Sequence, residues 1–332
     1  MIRLGLASLA LALVLLLPWP LAGSRTARAS PRLLTTAHLV VLLALALLPA
    51  GWLACLGTAL VALAVGGDPP AACWLGLDVR GWRLVADAVA LAALVPLGWQ
   101  TVRLGVRTWR AEPRPLALAV ADRRCPRGGG TVWVIPSERP AAYAGGVVRP
   151  RAVVTTGLLA MLCPLEQEAV LEHEAAHVRL GHPRLLLLGA AIDRAYGFLP
   201  PVRRAWEGLS RAMEVAADDE AVRLVGRLPL LTALARVGLA RASADAASFT
   251  DAHLRYRIRR LQEPARPDPR ASSLVGALGA VLVAGLSWSI CAFVDGDPAV
   301  SGLAVCALGV GTIGLRPTWR WRRRRATPGQ TG

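Results

Sequence analysis

Long apolar runs with few or no charged side chains are the feature that most constrains what this chain can fold into. A bilayer core is crossed by about 20 predominantly apolar residues of helix. Five runs approach or exceed that length, and they cover residues 4–22, 33–67, 82–102, 274–294 and 299–315; only 82–102 contains charged residues, Arg83 and Asp87 near its start. We therefore predict a multi-pass membrane protein, mainly α-helical, with about three spans in its N-terminal third and a transmembrane hairpin near its C-terminus.

The composition agrees with this prediction and excludes several function classes. Hydrophobic residues make up 54% of the chain and charged residues only 18%, whereas soluble domains carry about a quarter charged residues. The chain has no lysine, which excludes a Walker-type phosphate loop, a Schiff-base lysine and a Ser-x-x-Lys motif. The six cysteines are scattered, without a Cys-x-x-Cys pair, so neither a disulfide scaffold nor a thiolate metal site is expected.

Arginines beside the apolar runs predict the orientation in the membrane. Short cytoplasmic loops carry an excess of basic residues. The arginine-rich segments are 25–32, 103–110, 255–270 and 316–325, and the loop at Asp295 is acidic. An outside N-terminus places all the arginine-rich segments in the cytoplasm. The predicted divisions are a transmembrane region at 1–110, a cytoplasmic domain at 111–270, a transmembrane hairpin at 271–316 and a basic tail at 317–332.

Two alternatives to this topology remain open. Residues 1–22 could form a cleaved signal peptide, although that would move the arginines at 25–32 outside. The 33–67 run could cross twice, which would reverse the orientation of every later segment.

The arginine run near the C-terminus follows directly after a span, so attraction to anionic lipid explains it more simply than nucleic-acid binding does. We expect no direct binding of nucleic acid.

Three of the five histidines fall in one short segment, LEHEAAHVRLGH. His173 and His177 are four residues apart with Glu174 after the first, which is the H-E-x-x-H pattern of zinc peptidases. On a helix from about Pro164 to Gly181, both imidazoles share a face. Glu174 is turned about 100° from His173, which suits a general base that acts on the attacking water rather than a ligand.

A third zinc ligand is expected on a second helix, because catalytic zinc has three protein ligands. The segment 203–225 has helical spacing and contains Glu214 and Asp218, four apart on one face. Glu214 is the predicted third ligand, and Asp218 is predicted to orient a ligand imidazole. The alternative for Glu214 is an ion pair with Arg211. Asp219 and Glu220 point elsewhere and are expected to be solvated.

These motifs together resemble the gluzincin metallopeptidases. The segment 131–226, with H-E-x-x-H and then Glu-x-x-Ala-Asp, is similar to two integral membrane groups: the BlaR/MecR-type antirepressor peptidases and the HtpX and Ste24 CAAX-protease-type group. The resemblance implies a helical zinc peptidase domain with a small β-sheet edge, one zinc per chain and hydrolysis of a protein substrate. The chain departs from BlaR-type sensors, since only about 17 residues follow the last apolar run, so sensing of β-lactams by acylation is not supported.

Other histidines have weaker predicted roles. In the HtpX group a downstream histidine helps to stabilise the transition state, and His253, in DAHLRYRIRRL, is the candidate here, although its spacing differs. The alternative is a basic helix beside the membrane. His182 follows the first helix and is not expected to be a ligand, and His38 is expected to be a packing or interfacial residue.

The expected function is that of an integral membrane zinc endopeptidase of the cell membrane with a cytoplasmic active site. The expected substrate is a regulator such as a transcriptional repressor. The alternatives are an HtpX/Ste24-like quality-control protease and a scaffold without activity. Residues 131–156 are rich in β-formers and are expected to supply an edge strand that a substrate joins. The apolar segment 185–199 is too short to span and is expected at the membrane interface.

Overall fold

A computed structural model describes residues 12, 15, 16, 18–21, 29–66, 88, 92, 94–111, 123–127, 130–244, 250–263 and 268–280. Its helices are α1 (Pro18–Leu21), α2 (Pro31–Gly66), α3 (Val95–Ala111), α4 (Thr156–Ala160), α5 (Pro164–Arg179), α6 (His182–Tyr196), α7 (Pro200–Val225), α8 (Arg227–Ala244) and α9 (Thr250–Gln262). A further helical stretch covers 269–280. Its strands are β1 (Arg123–Arg127), β2 (Gly130–Ile135), β3 (Ala142–Gly145) and β4 (Arg151–Thr155).

The four strands form one small sheet with the order β1-β2-β4-β3. β1 and β2 are antiparallel, β2 and β4 are parallel, and β4 and β3 are antiparallel. β4 passes directly into α4, where the Thr155 hydroxyl accepts a hydrogen bond from the Leu158 N–H and so caps the helix. β3 is an edge strand of this sheet and packs beside α5.

The helix α5 has clear local signals at both ends. Pro164 occupies the first turn, where its missing N–H costs nothing. The Glu166 carboxylate accepts a hydrogen bond from the Cys163 N–H at 2.9 Å, and Arg236 of α8 donates to the same carboxylate at 3.0 Å. After Arg179 the chain turns at Gly181, whose φ of 71° favours glycine. The predicted start at Pro164 and stop near Gly181 are both confirmed.

The helix α7 is central to the packing. It lies against α2 on one side and against α5 on the other. The α2 side is apolar, with Leu42 and Val41 of α2 and Leu209 and Met213 of α7 fully buried in one cluster. A second cluster joins the sheet to α5 and α8 through Val132, Val154, Leu171 and Ala233. The helix begins at Pro200, three residues before the predicted start, because Pro200 and Pro201 fit its first turn.

The predicted membrane arrangement is only partly visible. Over the described parts of the chain, no helix combines the length and the apolar character needed to cross a bilayer. The run 299–315 and most of 4–22 and 274–294 lie outside the described residues, so the five-span arrangement stays a prediction. Four leucines of 185–199 pack against the cluster shared by α2 and α7, namely Leu185, Leu186, Leu188 and Leu199. Packing between helices therefore accounts for most of the apolar character of this segment. A position at the membrane interface stays a prediction.

Candidate metal centre

The two histidines of the H-E-x-x-H motif lie one turn apart on α5, and their rings converge. The two Nε2 atoms are 3.1 Å apart. Both side chains are buried, with 7% of His173 and 6% of His177 exposed. The four-residue spacing has therefore placed two nitrogen donors at one point, as the helical period predicts.

Glu214 of α7 completes a three-residue cluster with these histidines. Its carboxylate oxygens lie 3.6 Å from His173 Nε2 and 3.5 Å from His177 Nε2. Among the described residues, these three side chains form a group able to hold a metal ion. A tetrahedral zinc with bonds of about 2.1 Å has its ligand atoms about 3.4 Å apart. The Nε2 atoms of the two histidines are 3.1 Å apart, each lies about 3.5 Å from a different oxygen of Glu214, and one ligand atom from each residue can be chosen with all three within 4.8 Å of one another. The mixture of imidazole and carboxylate donors is one that zinc accepts.

Asp218 lies one turn beyond Glu214 and contacts the opposite side of His173. Its Oδ1 is 3.0 Å from His173 Nδ1, and only 1% of the residue is exposed. An imidazole that binds a metal through Nε2 carries its proton on Nδ1, and a carboxylate at that nitrogen holds the tautomer and the ring orientation. The structure thus brings Asp218 to the place that its predicted role requires.

Arg257 of α9 is part of the cluster, although the Arg-Ile-x-x-Leu-like run that contains it predicted neither a ligand nor a catalytic residue there. Its guanidinium donates to both oxygens of Asp218, at 2.6 and 2.8 Å, and to Glu214 Oε2 at 2.7 Å. It also lies 3.4 Å from His173 Nε2. Such charge-assisted, forked hydrogen bonds hold two carboxylates in fixed positions. Arg257 therefore links α9 to α7, the helix that carries the predicted third ligand.

Charges within the cluster set the protonation of its members. Burial lowers the pKa of His177 to about 3, with His173 acting in the same direction, so this imidazole is neutral at pH 7. Burial and Arg257 lower the pKa of His173, but Asp218 and Glu214 raise it more, to about 9. Burial raises the pKa of Glu214, but Arg257 and the two histidines hold it well below its usual range. Besides Arg257, a protonated His173 therefore offsets the carboxylates of Glu214 and Asp218.

The remaining predicted residues lie around this cluster. Glu174 is buried on α5 next to His173, and its charge acts on Arg257. His253 lies on α9, half-buried, and burial and Arg211 lower its pKa while Glu207 and Glu214 raise it. It therefore lies on the same side as the cluster, and its role in the transition state stays a prediction. His38 is buried on α2, as expected for a packing residue, with its ring against Gly208 of α7.

The surroundings of α7 are more fully paired than expected. Asp219 and Glu220 were expected to be solvated: the side chain of Asp219 is 41% exposed while it accepts two hydrogen bonds from Arg260, whereas that of Glu220 is only 15% exposed and pairs with Arg32 and Arg223. They are paired because α9 and the start of α2 pack against this helix with arginines facing it. The alternative ion pair of Glu214 is also not found: Glu214 pairs with Arg257, and Arg211 instead lies over the Tyr256 ring at 5.4 Å.

Comparisons with known proteins agree with this geometry. Residues 117–265 match the sequence profile of peptidase family M48. The M48 segment contains every member of the cluster, from His173 to Arg257. One relative is the "Protease HtpX homolog" of Syntrophobacter fumaroxidans, 33% identical over 122 residues, which are 32% of this chain and 42% of that protein. Another is the "Protease HtpX homolog" of Moorella thermoacetica, 37% identical over 92 residues, which are 27% of this chain and 29% of that protein.

The similarity to M48 supports a zinc-dependent protease. The chain spans less than half of the length of either relative. No solved structure matches the chain. The finer resemblance to BlaR/MecR-type peptidases stays a prediction.

Proposed function

We propose that this protein is a membrane-bound zinc endopeptidase that hydrolyses peptide bonds of a protein at the cytoplasmic face of the cell membrane. The observation that carries the proposal is the cluster of His173, His177 and Glu214, whose donor atoms converge within 4.8 Å of one another. The similarity of residues 117–265 to peptidase family M48 supports it. The arginine distribution around the apolar runs supports the cytoplasmic side.

The residues of the cluster have different roles in the proposed hydrolysis. His173, His177 and Glu214 would hold one zinc, which supplies Lewis acidity towards the scissile carbonyl when it is bound. Glu174 accepts a proton from the attacking water and delivers it to the leaving amine. Asp218 and Arg257 keep His173 and Glu214 in place through the contacts described above.

The substrate is proposed to bind in extended form along β3. This strand is at an edge of the sheet and packs beside α5, the helix that carries the two histidines. An edge strand presents N–H and C=O groups that an extended peptide can pair with, independently of its side chains. Recognition through the backbone fits a protease that cleaves a protein segment rather than a small molecule.

Two substrate classes fit this site. A cytoplasmic regulator such as a transcriptional repressor is the first, on the resemblance to BlaR/MecR-type peptidases. Membrane proteins undergoing quality control are the second, and the two relatives named as HtpX homologues favour this class. Comparing the proteomes of cells with the wild-type protein and with Glu174→Gln would separate them. One accumulating regulator would indicate the first class, and many accumulating membrane proteins the second.

The activity itself is tested with the purified full chain and an unfolded protein substrate. Glu174→Gln keeps size and hydrogen bonding but cannot accept the proton. We expect hydrolysis to fall about a hundredfold or more, with zinc content near that of the wild type. Glu168→Gln is the matched control, because Glu168 is exposed on the same helix. Loss of zinc in Glu174→Gln, or unchanged hydrolysis, would contradict the assigned role.

A further inference from the structure

His182 lies directly against the predicted ligand His177, on the side away from the other donors. The two Nδ1 atoms are 2.8 Å apart. The rings meet edge to face at 74°, with centroids 4.8 Å apart. His182 is 2% exposed, so water does not compete for this contact. Neither the proposed ligand set nor the similarity to known proteases assigns a role to this histidine.

A break between two helices creates the contact. On a continuous helix, residue 182 would lie about 140° round the axis from residue 177 and would face away from it. Instead α5 ends at Arg179, the chain turns at Gly181 with a φ of 71°, and α6 begins at His182. The first residue of α6 is thereby folded back onto the last turn of α5. The turn thus allows a histidine five residues later to reach the ligand ring.

Hydrogen-bond chemistry determines the direction of the contact. His177 turns its Nε2 towards His173 Nε2 and Glu214. A neutral imidazole that keeps the Nε2 lone pair free for a metal carries its proton on Nδ1. The proton between His177 and His182 then belongs to His177, and His182 Nδ1 is the acceptor. On His173, the corresponding nitrogen Nδ1 lies 3.0 Å from Asp218 Oδ1, without the alignment of a hydrogen bond.

We propose that His182 is a positioning residue, which accepts the Nδ1 proton of His177 and so fixes the tautomer and orientation of that ligand. The proposal rests on the metal centre of the proposed function and adds a member to it. The two ligand imidazoles are then supported differently, His173 by a carboxylate and His177 by a neutral ring. A neutral acceptor stabilises the Nδ1–H less than a carboxylate does, so the contribution of His182 to zinc affinity is smaller than that of Asp218.

The test uses two substitutions of nearly equal shape. His182→Asn keeps an acceptor oxygen two bonds from Cβ, at the reach of the imidazole Nδ1. His182→Leu places a methyl group there. Zinc affinity of the purified full chain is measured by competition with a chelator, with zinc alone as the probe. We expect His182→Leu to weaken binding about tenfold, at the low end for loss of an orienting partner, and His182→Asn to stay within about threefold of the wild type.

Each outcome of these measurements either supports or overturns the proposed role of His182. Equal zinc affinity of the Leu variant and the wild type would overturn the proposal, and so would an equal loss in the Leu and Asn variants, since packing alone would then explain it. If the Leu variant does not fold, His182→Gln is measured instead, because the side-chain oxygen of glutamine lies one bond farther from the backbone than the imidazole Nδ1 does. Unchanged zinc affinity of this variant would again overturn the proposal. A wild-type protein without zinc would contradict the proposed function itself.

Discussion

Asp218 makes more contacts within the cluster than its predicted role required. Besides lying 3.0 Å from His173 Nδ1, it accepts two hydrogen bonds from Arg257. A buried carboxylate that loses one partner becomes costly, because the remaining charge is then left without compensation. Asp218 therefore influences zinc binding both through the ligand imidazole and through the guanidinium that also holds Glu214.

The substitution Asp218→Asn is expected to weaken zinc affinity by about ten- to a hundredfold. The amide offers one acceptor oxygen instead of two, so it cannot serve His173 and both Arg257 hydrogen bonds. Asp219→Asn is the matched control, because Asp219 pairs with Arg260 and not with a predicted ligand. Chelator competition on both variants measures the effect. Equal zinc affinity of Asp218→Asn and Asp219→Asn would show that Asp218 does not orient His173.

Some members of the cluster could be predicted from the sequence, and others could not. The four-residue spacings of His173 with His177 and of Glu214 with Asp218 carry a helical geometry that can be read directly. Arg257 stood out only as the arginine of an Arg-Ile-x-x-Leu-like run, and its contacts could not be predicted, because which face of α9 meets α7 depends on tertiary packing. His182 could not be placed because its contact depends on the left-handed turn at Gly181.

At the scale of elements, α7 packs against α2 and also carries the predicted ligand Glu214. Its Gly208 faces the His38 ring of α2, and a Cβ added at Gly208 would lie 2.2 Å from that ring. Six residues later the same helix presents Glu214. The close approach of α2 and α7 therefore depends on a glycine, which lies on the same helix as the predicted third ligand.

The substitution Gly208→Ala is expected to destabilise the protein by about 1–3 kcal/mol, since the new methyl group overlaps a buried ring. The double variant Gly208→Ala/His38→Ala removes the overlapping ring and should recover part of that loss. Free energies of unfolding for the two single variants and the double variant give the coupling between the positions. If the two single effects simply add, His38 and Gly208 are not in contact.

The elements themselves were predictable to different degrees. Proline, glycine and the helical period indicated α5 and most of α7, because these signals are local. The strand β1, at 123–127, was not predicted, since RRCPR has neither alternation nor β-formers, and only its pairing with β2 makes it a strand. The pairing of Asp219 and Glu220 with arginines likewise depends on neighbouring helices that a sequence pattern does not reveal.

At the scale of the whole molecule, the account requires the metal centre to lie on the side of the arginine-rich segments. All of these segments share one side only if the chain crosses the membrane five times with its N-terminus outside. The predicted catalytic domain at 111–270 is then cytoplasmic. This arrangement decides which proteins can be substrates.

Reporter fusions test that arrangement directly. Fusions after Arg110 and after Arg270 are expected to report the cytoplasm, and a fusion at Asp295 the outside. The pair at Arg110 and Arg270 serves as its own control, because both flank the same domain. An external signal at Arg110 would mean that the run 33–67 crosses twice and that the domain faces outward.

Zinc content is the most direct test of the central claim that His173, His177 and Glu214 form a metal site. Metal analysis of the purified full chain is expected to find about one zinc per protein, the stoichiometry of a site with three protein ligands. The double variant His177→Ala/Glu214→Ala, folded as judged by its circular dichroism, should contain almost none. Full retention of zinc in that variant would contradict the account.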